Sequence, residues 1–111
     1  MSRKRLANRR GGLNVDFICG STKFTALLGY DEQNILREVF LRAGKVGTDV
    51  NIVMMEAAIA LSFALQWGCT AESMRDAMPR RTDGTPEGPI GVLLQLIYDL
   101  ELQEIKEELL K

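Results

Sequence analysis

The sequence predicts an α+β fold: a three-stranded antiparallel meander packed on a buried central helix, with two further helices. Three observations point to it. Residues 14 to 42 hold three short stretches of alternating apolar residues separated by turn residues. Residues 48 to 68 form one long apolar stretch, with a capping side chain at its start and glycine at its end. Residues 89 to 110 carry a second long helical pattern opened by Pro89. A chain of 111 residues fits one domain with one core.

Residues 1 to 12 read as a basic arm, with Arg3, Lys4, Arg5, Arg9 and Arg10 ahead of Gly11-Gly12. Residues 13 to 111 read as the single domain. The plain reading of the arm is a solvated tail. The sharper ones are an anion-binding arm, or an arm docked on the acidic C-terminal helix of its own or a neighbouring subunit.

The first strand, Asn14 to Cys19, places Val15, Phe17 and Cys19 on one face. The second, Thr22 to Leu28, places Phe24, Ala26 and Leu28 on one face. Gly20-Ser21 joins them, and glycine first suits a type II′ hairpin turn. A turn over residues 30 to 34 leads to the third strand, Leu36 to Arg42. Three strands are marginal alone, which leaves edge pairing with another subunit open.

The central helix follows, capped by Thr48 or Asp49 and closed by Gly68. Its apolar residues lie nearly all round: Ile52, Val53, Met55, Ile59, Leu61, Phe63, Leu65 and Trp67. Such a helix is expected to be buried on most sides. Glu56 and Gln66 interrupt it, which argues against a membrane span. Glu56 is expected to pair with Arg37, Arg42 or Lys45. Thr70 caps a short helix, Ala71 to Met78, ended by Pro79. A long Arg-, Gly- and Pro-bearing loop, residues 79 to 89, enters the last helix, where Leu93, Leu96, Ile97 and Leu100 make the buried stripe. Leu102, Ile105, Leu109 and Leu110 prolong the apolar seam beyond one small core, which predicts a partner helix, most simply in a homodimer.

Fourteen basic and fifteen acidic side chains leave a net charge of −1. That balance excludes a bulk nucleic-acid binder and a disordered chain. With no histidine and two cysteines, Cys19 and Cys69, the sequence offers no metal framework and no expected cofactor. Without an apolar leader, the expected location is the cytoplasm. The sequence holds no Ser-His or Cys-His pair and no nucleophile elbow, so no catalytic residue is expected.

Two places suit a phosphorylated ligand. Gly44, Lys45, Gly47 and Thr48 lie between a strand and a helix start, where free N–H groups and the helix dipole favour anions. The spacing is not that of a Walker A loop. The plain alternative is a turn in which the glycines serve backbone geometry. The second place joins Arg80, Arg81 and Thr82 to Gly88 and Gly91 at the last helix start, with arginines able to grip phosphate. Its plain alternative is a solvent loop.

The run from Leu36 through Gly44-Lys45-Val46-Gly47-Thr48, followed by an alanine-rich helix ending Ala64-Leu65-Gln66-Trp67-Gly68-Cys69, resembles the TSCPD domain. That domain is best known as an appendage near the C-terminus of coenzyme-B12-dependent ribonucleotide reductases. Stand-alone bacterial and phage-type proteins are similar to this chain over residues 3 to 98, including the Arg3-to-Arg10 start and the loop Asp83 to Gly91. The chain lacks the family's cysteine motif and C-terminal cysteine cluster, so no metal role carries over.

Together these readings predict a non-enzymatic binding module for a nucleotide or another phosphorylated small molecule, assembled as a homodimer or larger. It would sequester a nucleotide signal if phage-encoded. Nucleic acid and membrane are not expected partners. The alternative is a protein–protein adaptor or regulatory subunit of a ribonucleotide reductase or other nucleotide enzyme.

Overall fold

The computed structural model describes residues 12–44 and 47–110. The basic arm, apart from Gly12, lies outside them, as do Lys45 and Val46. Three strands, β1 (Gly12–Cys19), β2 (Thr22–Tyr30) and β3 (Leu36–Ala43), are followed by helices α1 (Asp49–Gln66), α2 (Ala71–Ala77) and α3 (Pro89–Leu109). The strands form an antiparallel sheet in the order β1-β2-β3, and α1 packs on β3. The expected architecture is the observed one. The chain divides into two compact units, one up to Cys69 and one from Thr70.

The first unit is built from its turns. Cys19 faces Thr22 across the two-residue turn, and Gly20 takes the positive φ of 63° that its first central position requires. The second turn is held by Asp31. One oxygen of its carboxylate accepts from the Gln33 and Ile35 N–H groups at 2.8 and 3.1 Å. The other accepts from Arg37 Nε at 3.0 Å. A register irregularity at Gly29/Tyr30 precedes this turn. One face of the sheet is buried, through Phe17, Phe24, Ala26, Leu28, Val39, Leu41 and Ala43. Phe17 and Phe24 stack across strands with centroids 5.2 Å apart.

Helix α1 lies along the open edge of β3. The Thr48 hydroxyl caps it by accepting from Asn51 N–H. Its end is a Schellman closure: Cys69 N–H donates to Ala64 O, Gly68 N–H donates to Leu65 O, and Gly68 has φ of 100°. Between the ends, Asn51, Met55, Ala58, Ser62 and Gln66 recur at spacings of three and four, one stripe of the helix. Asn51 Oδ1 accepts from Ala43 N–H at 3.0 Å. Ser62 Oγ accepts from Val39 N–H at 2.9 Å and donates to Val39 O at 3.1 Å. Gln66 Nε2 donates to Arg37 O at 3.2 Å. Arg37 in turn donates to Leu65 O at 2.9 Å, a cation at a helix C-terminus. The two elements match in length. Fifteen helical steps from Asn51 to Gln66 rise about 22 Å, and six strand steps from Ala43 to Arg37 span about 20 Å. A sheet edge that would otherwise offer free backbone groups is thereby closed by side chains.

This arrangement corrects the expectation that α1 is buried on most sides. Asn51, Ala58, Leu61, Ser62, Leu65 and Gln66 are its buried residues. Val50, Ile52, Val53, Met55, Ile59, Phe63 and Trp67 are exposed. The side in contact with β3 is polar and small-residue because it must bond to a strand edge, so much of the apolar surface is turned elsewhere. Glu56 is exposed as well, and the ion pair of Arg37 is with Asp31.

In the second unit Thr70 caps α2 by accepting from Ser73 N–H, and α2 packs on α3. The Arg75 guanidinium lies 3.8 Å from the centroid of the Tyr98 ring. Residues 79 to 88 fold as a small hairpin. Arg80 bridges Pro86, Arg81 N–H donates to Thr85 O at 2.8 Å, and Glu87 N–H donates to Pro79 O at 3.1 Å. Helix α3 buries Gly91, Leu93, Leu94 and Ile97. Leu102, Ile105, Leu109 and Leu110 are exposed.

Candidate functional site

The nucleotide-site residues read from the sequence fall into two sets, one in each unit. In the first, Gly44 and Gly47 adopt φ of 61° and 88°. Positive φ alone calls for glycine there. The Thr48 hydroxyl is engaged in capping α1. Lys45 lies outside the described residues. In the second, Arg80 Nη2 is 3.2 Å from Asp76 Oδ1 and 3.5 Å from Arg75 O. Arg75 hydrogen-bonds to the same Asp76, and this holds the Asp76 carboxyl below its ordinary range. Arg81 and Thr82 are exposed in the hairpin. Beside them, hydrogen bonds from Thr85 lower the Asp83 carboxyl. Gly88 is the N-cap of α3 and provides no side-chain cap. Gly91 is packed: a Cβ there would stand 3.2 Å from Pro86 Cβ and 3.5 Å from Met78 Cβ. Close helix-to-loop contact accounts for that glycine.

A concavity lies in the first unit, between α1 and the sheet face opposite the buried one. It has a volume of about 850 Å³. Leu27 and Phe40 form its floor from β2 and β3, where they are register partners. Met55, Ile59 and Phe63 form its wall at helical spacing. Glu38 and Arg42 flank Phe40 along β3, and Asn14 and Thr25 add polar groups from β1 and β2. The apolar members are substantially exposed: Leu27 39%, Phe40 48%, Met55 50%, Ile59 59% and Phe63 45%. On β1, Asp16 accepts from the Thr25 hydroxyl at 2.8 Å and pairs with Lys23 at 3.8 Å, which gives the sheet face a polar border.

The sequence reading missed this groove, although it carries a signal. Strand alternation assigns Phe24, Ala26 and Leu28 to the core, which leaves Leu27 on the other face. Its partner Phe40 breaks alternation in the same way. Two apolar side chains on the polar face of an antiparallel sheet mark a second buried or docking surface.

The described residues contain no group of three or more His, Cys, Asp or Glu side chains able to hold a metal, and Cys19 and Cys69 are free thiols. No family model matches the chain, and no curated protein and no solved structure matches it. The class is therefore defined by the fold and the groove alone: a small α+β chain whose sheet is buried on one face and open, with an apolar floor, on the other.

Proposed function

We infer that the protein is a non-enzymatic binding module whose principal docking surface is this groove, and that it acts as a protein–protein adaptor. One observation carries the reading: Leu27 and Phe40 on the sheet and Met55, Ile59 and Phe63 on α1, all substantially exposed, line one concavity. Exposed apolar side chains gathered in one concavity and rimmed by polar groups suit an interaction site. The polar groups at its border suit a protein partner, whose interfaces combine an apolar centre with a polar rim. The resemblance of residues 36 to 69 to the TSCPD domain belongs to the same proposal, with a nucleotide enzyme as the partner it suggests.

The location proposed is the cytoplasm. Among the described helices, α1 is long and apolar enough by length and composition to cross a membrane. Its Asn51, Ser62 and Gln66 bonds to β3 support an aqueous setting, since they would be lost in a bilayer.

The test is the native size of a tagged chain in extract of its own cells. The reading predicts a complex for the wild type that Ile59→Glu dissolves while the fold persists. Identical size for both would refute it.

A second reading keeps a phosphorylated ligand at the start of α3, supported by the uncapped Gly88 and the exposed Arg81. A nucleotide thermal-shift screen with Arg81→Ala as control tests it. A shift of several degrees, abolished by the substitution, is the expected result.

A further inference from the structure

The two outer edges of the sheet differ. In a two-residue hairpin the residues that flank the turn form a hydrogen-bonded pair, and such pairs then alternate along the ladder. Cys19 and Thr22 flank Gly20-Ser21, so the bonded pairs of β1 with β2 fall at Cys19, Phe17, Val15 and Leu13. The N–H and C=O groups of Gly12, Asn14, Asp16 and Ile18 therefore point away from β2. Carried across β2, the same alternation turns the groups of Val39 and Ala43 outward on β3, and these are the ones that Ser62 and Asn51 bond. The β3 edge is closed, whereas β1 pairs with β2 alone among the described residues. β1 also lacks the usual protection of an edge: it holds no proline and no lysine, and its register runs unbroken. Its core-facing row is incompletely covered, with Leu13 42% exposed and Val15 half-buried.

A second copy of β1 fits this edge in one register. A two-fold axis normal to the sheet, passing between two antiparallel strands, exchanges them and keeps both buried faces on the same side. Ladder bonds form only where one outward-pointing residue meets another, so Gly12, Asn14, Asp16 and Ile18 must pair among themselves. Two such registers use nearly the whole strand, one engaging residues 12 to 18 and the other residues 13 to 19. The second centres on Asp16 and sets two carboxylates directly opposite each other, which is destabilising. The first centres on Val15. It pairs Asn14 with the second copy's Asp16 and Gly12 with its Ile18, each twice. The Asn14 amide can donate to that carboxylate, which keeps its bonds to Thr25 and Lys23 because an ionised carboxylate accepts at about four sites. On the core face Val15 meets Val15, and Leu13 meets the second copy's Phe17, at the closely spaced non-hydrogen-bonded positions.

We propose that the open edge of β1 receives β1 of a second copy, antiparallel about a two-fold axis at Val15, so that two chains share one six-stranded sheet. The contact is isologous and uses the one open edge of each copy, so it stops at the dimer. Both open sheet faces lie on one side of the joined sheet, and the dimer presents its two grooves in the same direction. The proposal stands apart from the reading of the groove and needs no partner bound there.

Sedimentation of the purified full chain tests it. The wild type is expected to move from monomer to dimer, and no further, as concentration rises from low micromolar to several hundred micromolar. Asn14→Pro removes an N–H that points outward, so it breaks no bond between β1 and β2. In the dimer the two-fold axis repeats the loss, and self-association is expected to weaken about thirtyfold or more with the circular dichroism unchanged. Crosslinking reads the register. In a Cys19→Ser, Cys69→Ser background, Val15→Cys is expected to form an intermolecular disulfide under mild oxidation, since Cα atoms of a non-hydrogen-bonded pair lie about 4.5 Å apart. Leu13→Cys in the same background is expected not to, because the two Leu13 positions are offset by about 13 Å along the strands. Ile59→Glu lies on α1, outside the ladder, and is expected to dimerise as the wild type does. Loss of the extract complex in that variant therefore reports on the groove alone. A wild type monomeric throughout, a folded Asn14→Pro protein that dimerises like the wild type, or Leu13→Cys crosslinking as fast as Val15→Cys would overturn the proposal. If Asn14→Pro does not fold, the crosslinking pair decides.

Discussion

Replacing Ser62 with alanine probes the bond on which the first unit turns. The Ser62 hydroxyl both accepts from and donates to the Val39 peptide group, at 2.9 and 3.1 Å, in a buried position. Alanine removes both bonds and leaves the Val39 N–H at the strand edge without its acceptor. A buried donor left in this way costs about 1–3 kcal/mol. Alanine returns about 0.5 kcal/mol through its better helix propensity. The expected net loss is about 2 kcal/mol, or a fall of about 8 °C in Tm for a chain of this size. Urea unfolding should show a lower midpoint with an unchanged slope, since the surface exposed on unfolding is the same. Amide exchange at Val39 should accelerate selectively. Ser21→Ala, in an exposed turn, is the control and should stay within about 0.5 kcal/mol of wild type. A loss below about 0.5 kcal/mol for Ser62→Ala, with Val39 still protected, would refute the view that α1 is fastened to β3 by polar side chains.

Other substitutions test the remaining supports. Asp31→Ala strips Arg37 of its buried carboxylate and two turn N–H groups of their acceptor, and it should cost about 3–5 kcal/mol by denaturant unfolding. Gly68→Ala forces a side chain to φ of 100° and should cost about 1–2 kcal/mol by the same measurement. On α3, burial, with Glu104 and Glu72 nearby, raises the Glu101 carboxyl above its ordinary range. A raised carboxyl binds its proton more tightly in the folded state, so its contribution is present in acid and lost as pH rises through the folded pKa. Glu101→Gln should therefore stabilise the protein at pH 7 relative to wild type, with the difference shrinking towards pH 4 in parallel thermal melts.

Element identity was legible because local chemistry and tertiary packing agree. Thr48, Gly68, Thr70 and Pro89 stand at the helix ends that their side chains and backbone favour. The Gly20-Ser21 hairpin follows from the need for positive φ. The environment of α1 was less legible. Apolar residues around a helix imply burial only when the neighbouring surface is apolar, and here the neighbour is a strand edge that requires Asn51, Ser62 and Gln66. Reading Gln66 as an interruption, with no use assigned to Asn51 and Ser62, concealed the stripe they form. The strand beside them misled for a different reason: the irregularity at Gly29/Tyr30 leaves Leu36 and Val39 both buried although they are three residues apart. Simple alternation along β3 then fails, and the face of Phe40 cannot be assigned from β3 alone. The candidate ligand residues were chosen for glycine and charge. Gly44 and Gly47 adopt turn geometry, Gly91 fills a close contact, and Arg80 has an acidic neighbour, each a structural use of the same residue type.

The most direct measurement of the groove's role is methyl NMR with a soluble paramagnetic probe, following Leu27, Met55 and Ile59 of the labelled protein as extract of its own cells is added. A docking surface for a protein partner predicts strong probe relaxation of all three methyl sets in the purified protein and joint protection once extract is added, while Leu28 and Leu93, fully buried, remain protected throughout. Relaxation of Leu27, Met55 and Ile59 that stays the same with and without extract would contradict the account.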